Sequence, residues 1–400
     1  MRVLMLHNYY QRPGGEDACF AAEASLLEAR GHEVDRFTLH NDAVVRLDMA
    51  TLATKTIWNR EVYRELRRRI RERRPAVMHA HNLFPLISPA AYYAASAEGV
   101  PVVQTVHNFR LFCVNAQFFR DGRPCEDCMG RVLPWPGIRH RCYRGSVQLS
   151  AGVAGLLATH RAFGTWLRRV DVMIALNAFV RCKLMAGGFP PERIVVKPNF
   201  LEVDPGAGEA TRDSYALFAG RLSPEKGLAT LIEAWARLPG ELRLKIVGDG
   251  PLAAEAVARA ASNPRIEFLG RRSRPEVLQL MRDAAVVIVP SEWYELMPLV
   301  VIEAFAVGTP VLAARIGALA GLVDDGRTGQ LFMPGDPDDL AACLAKMLHD
   351  EASHCRMREA ARNEFLTRYT AAANYEKLMR IYSLARRSAA HTLTGLRHYC

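Results

Sequence analysis

Two stretches in the second half of the chain carry side chains whose types and spacing suit a bound diphosphate. Gly220-Arg221-Leu222-Ser223-Pro224-Glu225-Lys226-Gly227 follows an apolar run and opens a helical pattern. Two cations five residues apart, on a turn at the carboxyl end of a strand, can clamp a diphosphate. Arg221 offers a bidentate fork and Lys226 a point charge, beside the unpaired amides of a helix start. Further on, Pro290-Ser291-Glu292-Trp293-Tyr294-Glu295-Leu296-Met297-Pro298 closes another apolar run, and Pro298 suits the first turn of a helix. That arrangement sets Glu295, Leu296 and Met297 at a helix amino terminus. Glu303 falls inside Leu299-Val300-Val301-Ile302-Glu303-Ala304-Phe305, where an unpaired carboxylate is costly. Its partner is either an internal arginine or the two ribose hydroxyls of a nucleotide.

The first half has its own candidates. Gly14-Gly15 sits between a strand and a helix, so the backbone there can approach a phosphate or a sugar closely. His81 and His107 each end a strand-like run. Residues 108–146 show no clear period but hold Cys113-x11-Cys125-x2-Cys128-x13-Cys142. In a chain read as cytosolic, a Cys-x2-Cys pair flanked by two further cysteines points to a structural zinc site rather than to disulfides. Unrelated reduced thiols are the alternative. Cys19, Cys182, Cys343, Cys355 and Cys400 show no ligand spacing and read as core or surface thiols.

The elements that must position these residues alternate between strand and helix, the pattern of a parallel sheet with crossover helices. Strands are expected at 2–8, 34–39, 77–81, 100–107 and 171–176, then at 215–220, 242–247, 266–269, 286–290 and 310–313. Helices are expected at 16–30, 88–97 and through 337–387. Lys197-Pro198-Asn199-Phe200 to Gly208 reads as a linker, followed by the polar 209–214. The expected organisation is an N-terminal Rossmann-like domain over 1–197, a C-terminal one over 198–375, and a helix and tail over 376–400 returning to the first domain. Two doubly wound sheets in series leave a cleft, with ligands at the carboxyl ends of the strands.

The Glu295-x7-Glu303 spacing downstream of GRLSPEKG resembles glycosyltransferase family 4. The resemblance extends through Ile246-Val247-Gly248-Asp249-Gly250-Pro251, Phe268-Leu269-Gly270, Ala306-Val307-Gly308-Thr309-Pro310-Val311, Asp325-Gly326-Arg327-Thr328-Gly329 and Gly335-Asp336. It implies an α/β protein of GT-B fold, retention of anomeric configuration and no catalytic metal. It implies that Glu295 contacts a donor sugar and Glu303 the ribose of its nucleotide. Arg221 and Lys226 would then hold the diphosphate, and the backbone near Gly248, Leu269 and Gly270 the donor and its base. It also raises His107 as the site histidine of the first domain, with His81, Gly14 and Gly15 on the acceptor side. Asp336-x-Asp338 matches a metal-binding pattern, but Pro334-Gly335-Asp336-Pro337-Asp338-Asp339 reads as a helix start and is taken as structural. No cofactor is expected for catalysis, and the one metal considered is the structural zinc.

The whole chain bounds the reading. Its 400 residues suit two domains; half are hydrophobic and 24% charged, as in globular proteins. The amino terminus reads as a first strand rather than a signal peptide, and no run is long enough to span a membrane, so a cytoplasmic location is expected. The net charge of +10 and pI near 9.3 suit phosphorylated ligands, an anionic membrane face or nucleic acid. Arg64, Arg67, Arg68, Arg71 and Arg74 recur at helical steps with Glu61, Glu65 and Glu72 between them. They form either a solvated face or one that rests on anionic lipid at the inner membrane. The expected partners are a nucleotide-sugar donor and a glycan or polyprenyl-linked acceptor in cell-surface polysaccharide assembly. A nucleotide-sugar 2-epimerase of the same fold is the alternative. An NAD-dependent oxidoreductase is disfavoured because Asn8 to Gly15 lacks Gly-x-Gly-x-x-Gly. Nucleic acid is disfavoured because no recognition motif accompanies the arginines.

Overall fold

The structure, a computed structural model, describes residues 1–11, 14–208 and 214–396. Cys400 and most of the polar segment 209–214 therefore lie outside the described residues. The chain divides into two compact units. One comprises residues 1–118, 126–198 and the segment from Asn374 onward; the other comprises 119–125 and 199–373.

In chain order the strands of the first half are β1 (Arg2–Tyr9), β2 (Glu33–His40), β3 (Val77–Asn82), β4 (Val102–Val106), β5 (Phe119–Arg120), β6 (Arg123–Pro124), β7 (Val172–Ala175) and β8 (Ile194–Val196). The strands β5 and β6 form a small antiparallel pair. The other six make one parallel sheet in the order β2-β1-β3-β4-β7-β8. Residues Val3 to Leu6 and Val77 to Asn82 are buried throughout, the near-continuous burial of strands covered on both faces. Val3, Met5, Phe20, Leu27 and Val77 form a core with Leu378, Ile381, Tyr382 and Ala385 of the helix Ala371–Leu396.

The second unit repeats the plan with β9 (Ala216–Ala219), β10 (Leu244–Val247), β11 (Ile266–Gly270), β12 (Val286–Val289), β13 (Val311–Ala314) and β14 (Gly329–Phe332). They too are all parallel, in the order β11-β10-β9-β12-β13-β14. The strand order reverses between β1 and β3 in the first sheet and between β9 and β12 in the second. Ligands of doubly wound sheets bind outside the carboxyl ends of the strands at such reversals. The Gly14-Gly15 segment follows β1; the Arg221–Lys226 turn follows β9, and the Glu295 loop follows β12.

Three readings of the sequence are refined. The segment after β8 is not a free linker at its start, because Lys197, Asn199, Phe200 and Leu201 are all buried. Asp336 caps the helix Pro337–Leu348, accepting from the amides of Asp338 and Asp339, which accounts for this acidic cluster structurally. The arginine-rich helix Arg60–Arg73 is laced with ion pairs: Arg67 and Arg71 reach Glu98 at 2.6 and 2.9 Å, and Arg68 lies 2.7 Å from both Glu65 and Glu72. Much of its charge is therefore balanced within the fold. Among the described residues, no helix is long and apolar enough to cross a membrane.

Candidate functional site

The loops after β9 and β12 meet. Lys226 Nζ lies 2.5 Å from Glu295 Oε1, and the same oxygen accepts a hydrogen bond from Ser291 Oγ at 2.8 Å. The Glu295 side chain is 7% exposed and that of Lys226 is 23% exposed, so the carboxylate is recessed and the lysine keeps part of its surface open. Lys226 also stands 5.5 Å from the centre of the Trp293 ring. Two further contacts tie the loops: Glu292 N donates to Glu225 O at 2.9 Å, and Thr230 Oγ1 donates to Glu292 Oε1 at 2.7 Å. Arg221 lies exposed on the same turn as Lys226. Just beyond Glu295, Leu296 and Met297 are buried, and Pro298 opens the helix Leu299–Ala306 without a side-chain cap, leaving amides at its start for a ligand.

Glu303 lies on that helix with its side chain 14% exposed, and Arg274 Nε stands 3.1 Å from its Oε1. Its partner within the chain is thus an arginine, one of the two partners the sequence allows. Burial raises the pKa of this carboxyl, and the Arg274 charge and hydrogen bond partly offset it. Because Arg274 is itself 57% exposed, the pair sits at a surface where ribose hydroxyls could share the carboxylate.

Two glycines hold these loops together. Gly227 has φ +68°, and a Cβ there would stand 1.8 Å from Pro290 O, the residue that leaves β12. Gly248 has φ +140°, and its Cβ would stand 1.8 Å from Gly220 O. Backbone hydrogen bonds then lace neighbouring strand ends: Gly220 N donates to Val247 O, Leu222 N to Asp249 O and Gly248 N to Gly270 O, at 2.9–3.0 Å. Leu269 is half-buried and Gly270 exposed at the end of β11.

In the first unit, the ends of β1, β3 and β4 gather a buried polar cluster. His107 Nε2 lies 2.9 Å from His81 Nδ1 with the two rings stacked. His79 sits between Tyr382 OH at 2.9 Å and Thr105 Oγ1 at 2.8 Å. Burial lowers the pKa of all three histidines, that of His79 to about 4, so each is neutral near pH 7. His81 is buried, engages His107, and lines the same pocket as that residue. Gly14 N donates to Asp17 Oδ2 at 2.8 Å, and Asp17 Oδ1 pairs with His7 Nε2 at 2.7 Å.

Several members of this cluster carry no local sequence signal. Lys197, 1% exposed, pairs with Glu23 at 2.8 Å, and Glu23 Oε1 is 3.2 Å from His79 Nδ1. Glu23, His79 and His81 bring ligand-type atoms within 4.8 Å of one another, but the Lys197 ammonium already supplies the cation on that carboxylate. Glu16 Oε2 accepts from Tyr10 OH at 2.8 Å and Asn108 Nδ2 at 3.4 Å, and burial pushes its carboxyl up to about 7. In the cysteine-bearing insert, Cys113 and Cys128 are buried and Cys125 and Cys142 half-buried.

Two six-stranded parallel sheets, each reversing its order where the candidate ligands gather, define a two-domain α/β protein of GT-B architecture. The chain belongs to glycosyltransferase family 4: residues 13–205 match Glycosyltransferase Family 4, and residues 202–364 match Glycosyl transferases group 1. A D-inositol 3-phosphate glycosyltransferase of Corynebacterium efficiens is 38% identical over 221 residues, 49% of this chain and 52% of that one. A glycogen synthase of Mycobacterium tuberculosis is 30% identical over 305 residues, 72% of this chain and 64% of that one. The chain thus spans less than two thirds of the length of either relative. The fold is also that of Anabaena HepE in complex with UDP, with a TM-score of 0.68 at 19% identity over 96% of this chain and all of that one.

Proposed function

We propose that the chain transfers a sugar from a nucleotide-diphosphate sugar to a glycan or lipid-linked glycan acceptor. In this reading the anomeric configuration is retained, no catalytic metal takes part, and the product feeds cell-surface polysaccharide assembly. The observation that carries the reading is the Lys226–Glu295 pair at the reversal point of the second sheet. Breaking the anomeric bond builds negative charge on the departing diphosphate and positive charge on the sugar. The partly exposed Lys226, the neighbouring Arg221 and the uncapped amides at Leu299 suit the first charge; the recessed Glu295 carboxylate suits the second. Such fixed groups stabilise the transition state more than the ground state. Within the first unit, the neutral His107, held by His81, offers an acceptor a hydrogen bond without adding a charge.

The UDP in the HepE complex supports a nucleotide donor, and the relatives named above are a transferase and a synthase rather than epimerases. The test is a thermal-shift screen with UDP, GDP, ADP and their sugars, followed by product analysis with and without acceptor. One donor should raise the melting temperature by mass action and then be consumed with acceptor present. Acceptor-independent release of an epimerised sugar would overturn the proposal in favour of the epimerase. Attachment to the inner membrane face and a zinc ion on Cys113, Cys125, Cys128 and Cys142 belong to the same proposal and are tested separately below.

A further inference from the structure

The first unit contains an apolar cavity of about 200 Å³, walled by the segment 44–56, by Phe84 and Pro85, and by the helix Val147–Ala162. Val44, Leu52, Leu149 and Val153 line it. Val45 and Met49 stand at the same wall 77% and 49% exposed, so apolar surface continues from the cavity to its edge. Arg144 lines the cavity, and no acidic side chain is among its described lining residues. Phe84 lines both this cavity and a second pocket, where His81, His107, Asn108 and Arg110 stand among apolar side chains. At that junction the Arg110 guanidinium lies 4.4 Å from the centre of the Phe84 ring and 5.1 Å from that of Tyr143, another lining residue. Arg144 is 5.6 Å from the same Tyr143 ring.

A pocket at the site histidine, two guanidiniums against aromatic rings, and an apolar chamber adjoin one another through Phe84 and Tyr143. We infer that this chamber holds the hydrocarbon tail of a lipid-linked acceptor, with its phosphate at Arg110 and Arg144 and its sugar end toward His107. Arginine on an aromatic wall suits this task, because a guanidinium pairs bidentately with phosphate while its face stays in apolar contact. A water-soluble oligosaccharide would gain nothing from the chamber or from the exposed Val45 and Met49. The inference rests on the proposed transferase activity and selects the lipid-linked acceptor among those it allows.

Gly152 offers a clean perturbation. It lies on the helix Val147–Ala162 and lines the cavity, and a Cβ added there meets no atom within 4 Å. Gly152→Trp should fill the chamber without disturbing the fold. Calorimetry on the full-length protein would use dodecyl phosphate below its micelle concentration, with inorganic phosphate and dodecanol as separate arms. Dodecyl phosphate should bind, and Gly152→Trp should weaken it roughly tenfold or more, the scale of losing two or three buried methylenes. Arg144→Glu should weaken dodecyl phosphate while leaving dodecanol little changed. Equal affinity in wild type and Gly152→Trp, or no binding of dodecyl phosphate by the wild type, would overturn the inference. So would inorganic phosphate binding as tightly as dodecyl phosphate, since the tail would then contribute nothing. Melting shifts with nucleotide are read in parallel: their loss in the wild type would indict the transferase reading, whereas their persistence confines any failure to the chamber.

Discussion

Replacing Gly227 by alanine should separate the two loops that form the donor site. A Cβ at this position would lie 1.8 Å from Pro290 O, whereas such contacts almost never fall below 3.0 Å. The loop after β9 and the loop after β12 must therefore part by over an ångström, or Gly227 must abandon its φ of +68°. Either movement acts directly on the Lys226–Glu295 contact, because Lys226 adjoins Gly227 and Ser291 adjoins Pro290. The left-handed backbone alone costs alanine roughly 1 kcal/mol, and the displaced backbone contacts should bring the total to about 2–4 kcal/mol. In a domain of this size that lowers the melting temperature by roughly 4–16 °C. A displacement of about 1 Å at a reacting centre costs on the order of 10²-fold in turnover. Gly321→Ala is the control, since its backbone is not left-handed and an added Cβ meets nothing within 4 Å. The assay is donor turnover and thermal melting of both variants. A Gly227→Ala protein that melts and turns over like the wild type would refute the claim that this contact holds the site together.

The other expectations follow from charge and ligand chemistry. Glu16 holds its proton to about pH 7 in the folded state but releases it near 4.5 when unfolded, so its contribution to stability falls as pH rises between those values. Glu16→Gln should therefore gain on the wild type across that window, by up to about 3 kcal/mol at pH 8, and parallel stability–pH curves would count against the burial argument. Zinc analysis of protein purified without added metal should find about one ion per chain, and four freely titrating native thiols without zinc would end the zinc proposal. Liposome binding should require anionic lipid and weaken with salt; equal binding to neutral vesicles would remove the membrane proposal.

Much of the fold was legible because local periodicity survives in buried parallel strands. The runs that became β9 and β12 are continuous in apolar residues, β1 carries four in a row at Val3–Leu6, and the turns after β9 and β12 announce themselves by Gly, Pro and charge. The short strands were harder: β8 runs straight into Lys197, whose charge hides a buried continuation, and β14 follows a polar turn at Asp324–Thr328. The second sheet's site was readable as two motifs, but their contact was not, since it depends on strand order. The first unit's cluster was the least legible. Glu23 and Lys197 are 174 residues apart and pair only because a helix and a strand end pack together. The arginine helix shows the same limit: its repeat is local, while the Glu98 that balances Arg67 and Arg71 lies on another element.

The central claim is that Arg221, Lys226, Glu295 and Glu303 act on one donor, and it is tested most directly by turnover of four single variants. Arg221→Ala and Lys226→Ala should each lose roughly 10²-fold or more, the scale of one preorganised electrostatic contact. Glu295→Gln should likewise lower turnover, and Glu303→Gln should act mainly through donor affinity, because ribose contacts change little during the reaction. Arg221 is the cleanest of the four: it is exposed, so its removal leaves the fold unchanged. Wild-type rates in Arg221→Ala and Lys226→Ala proteins that melt normally would place the diphosphate elsewhere and contradict the account.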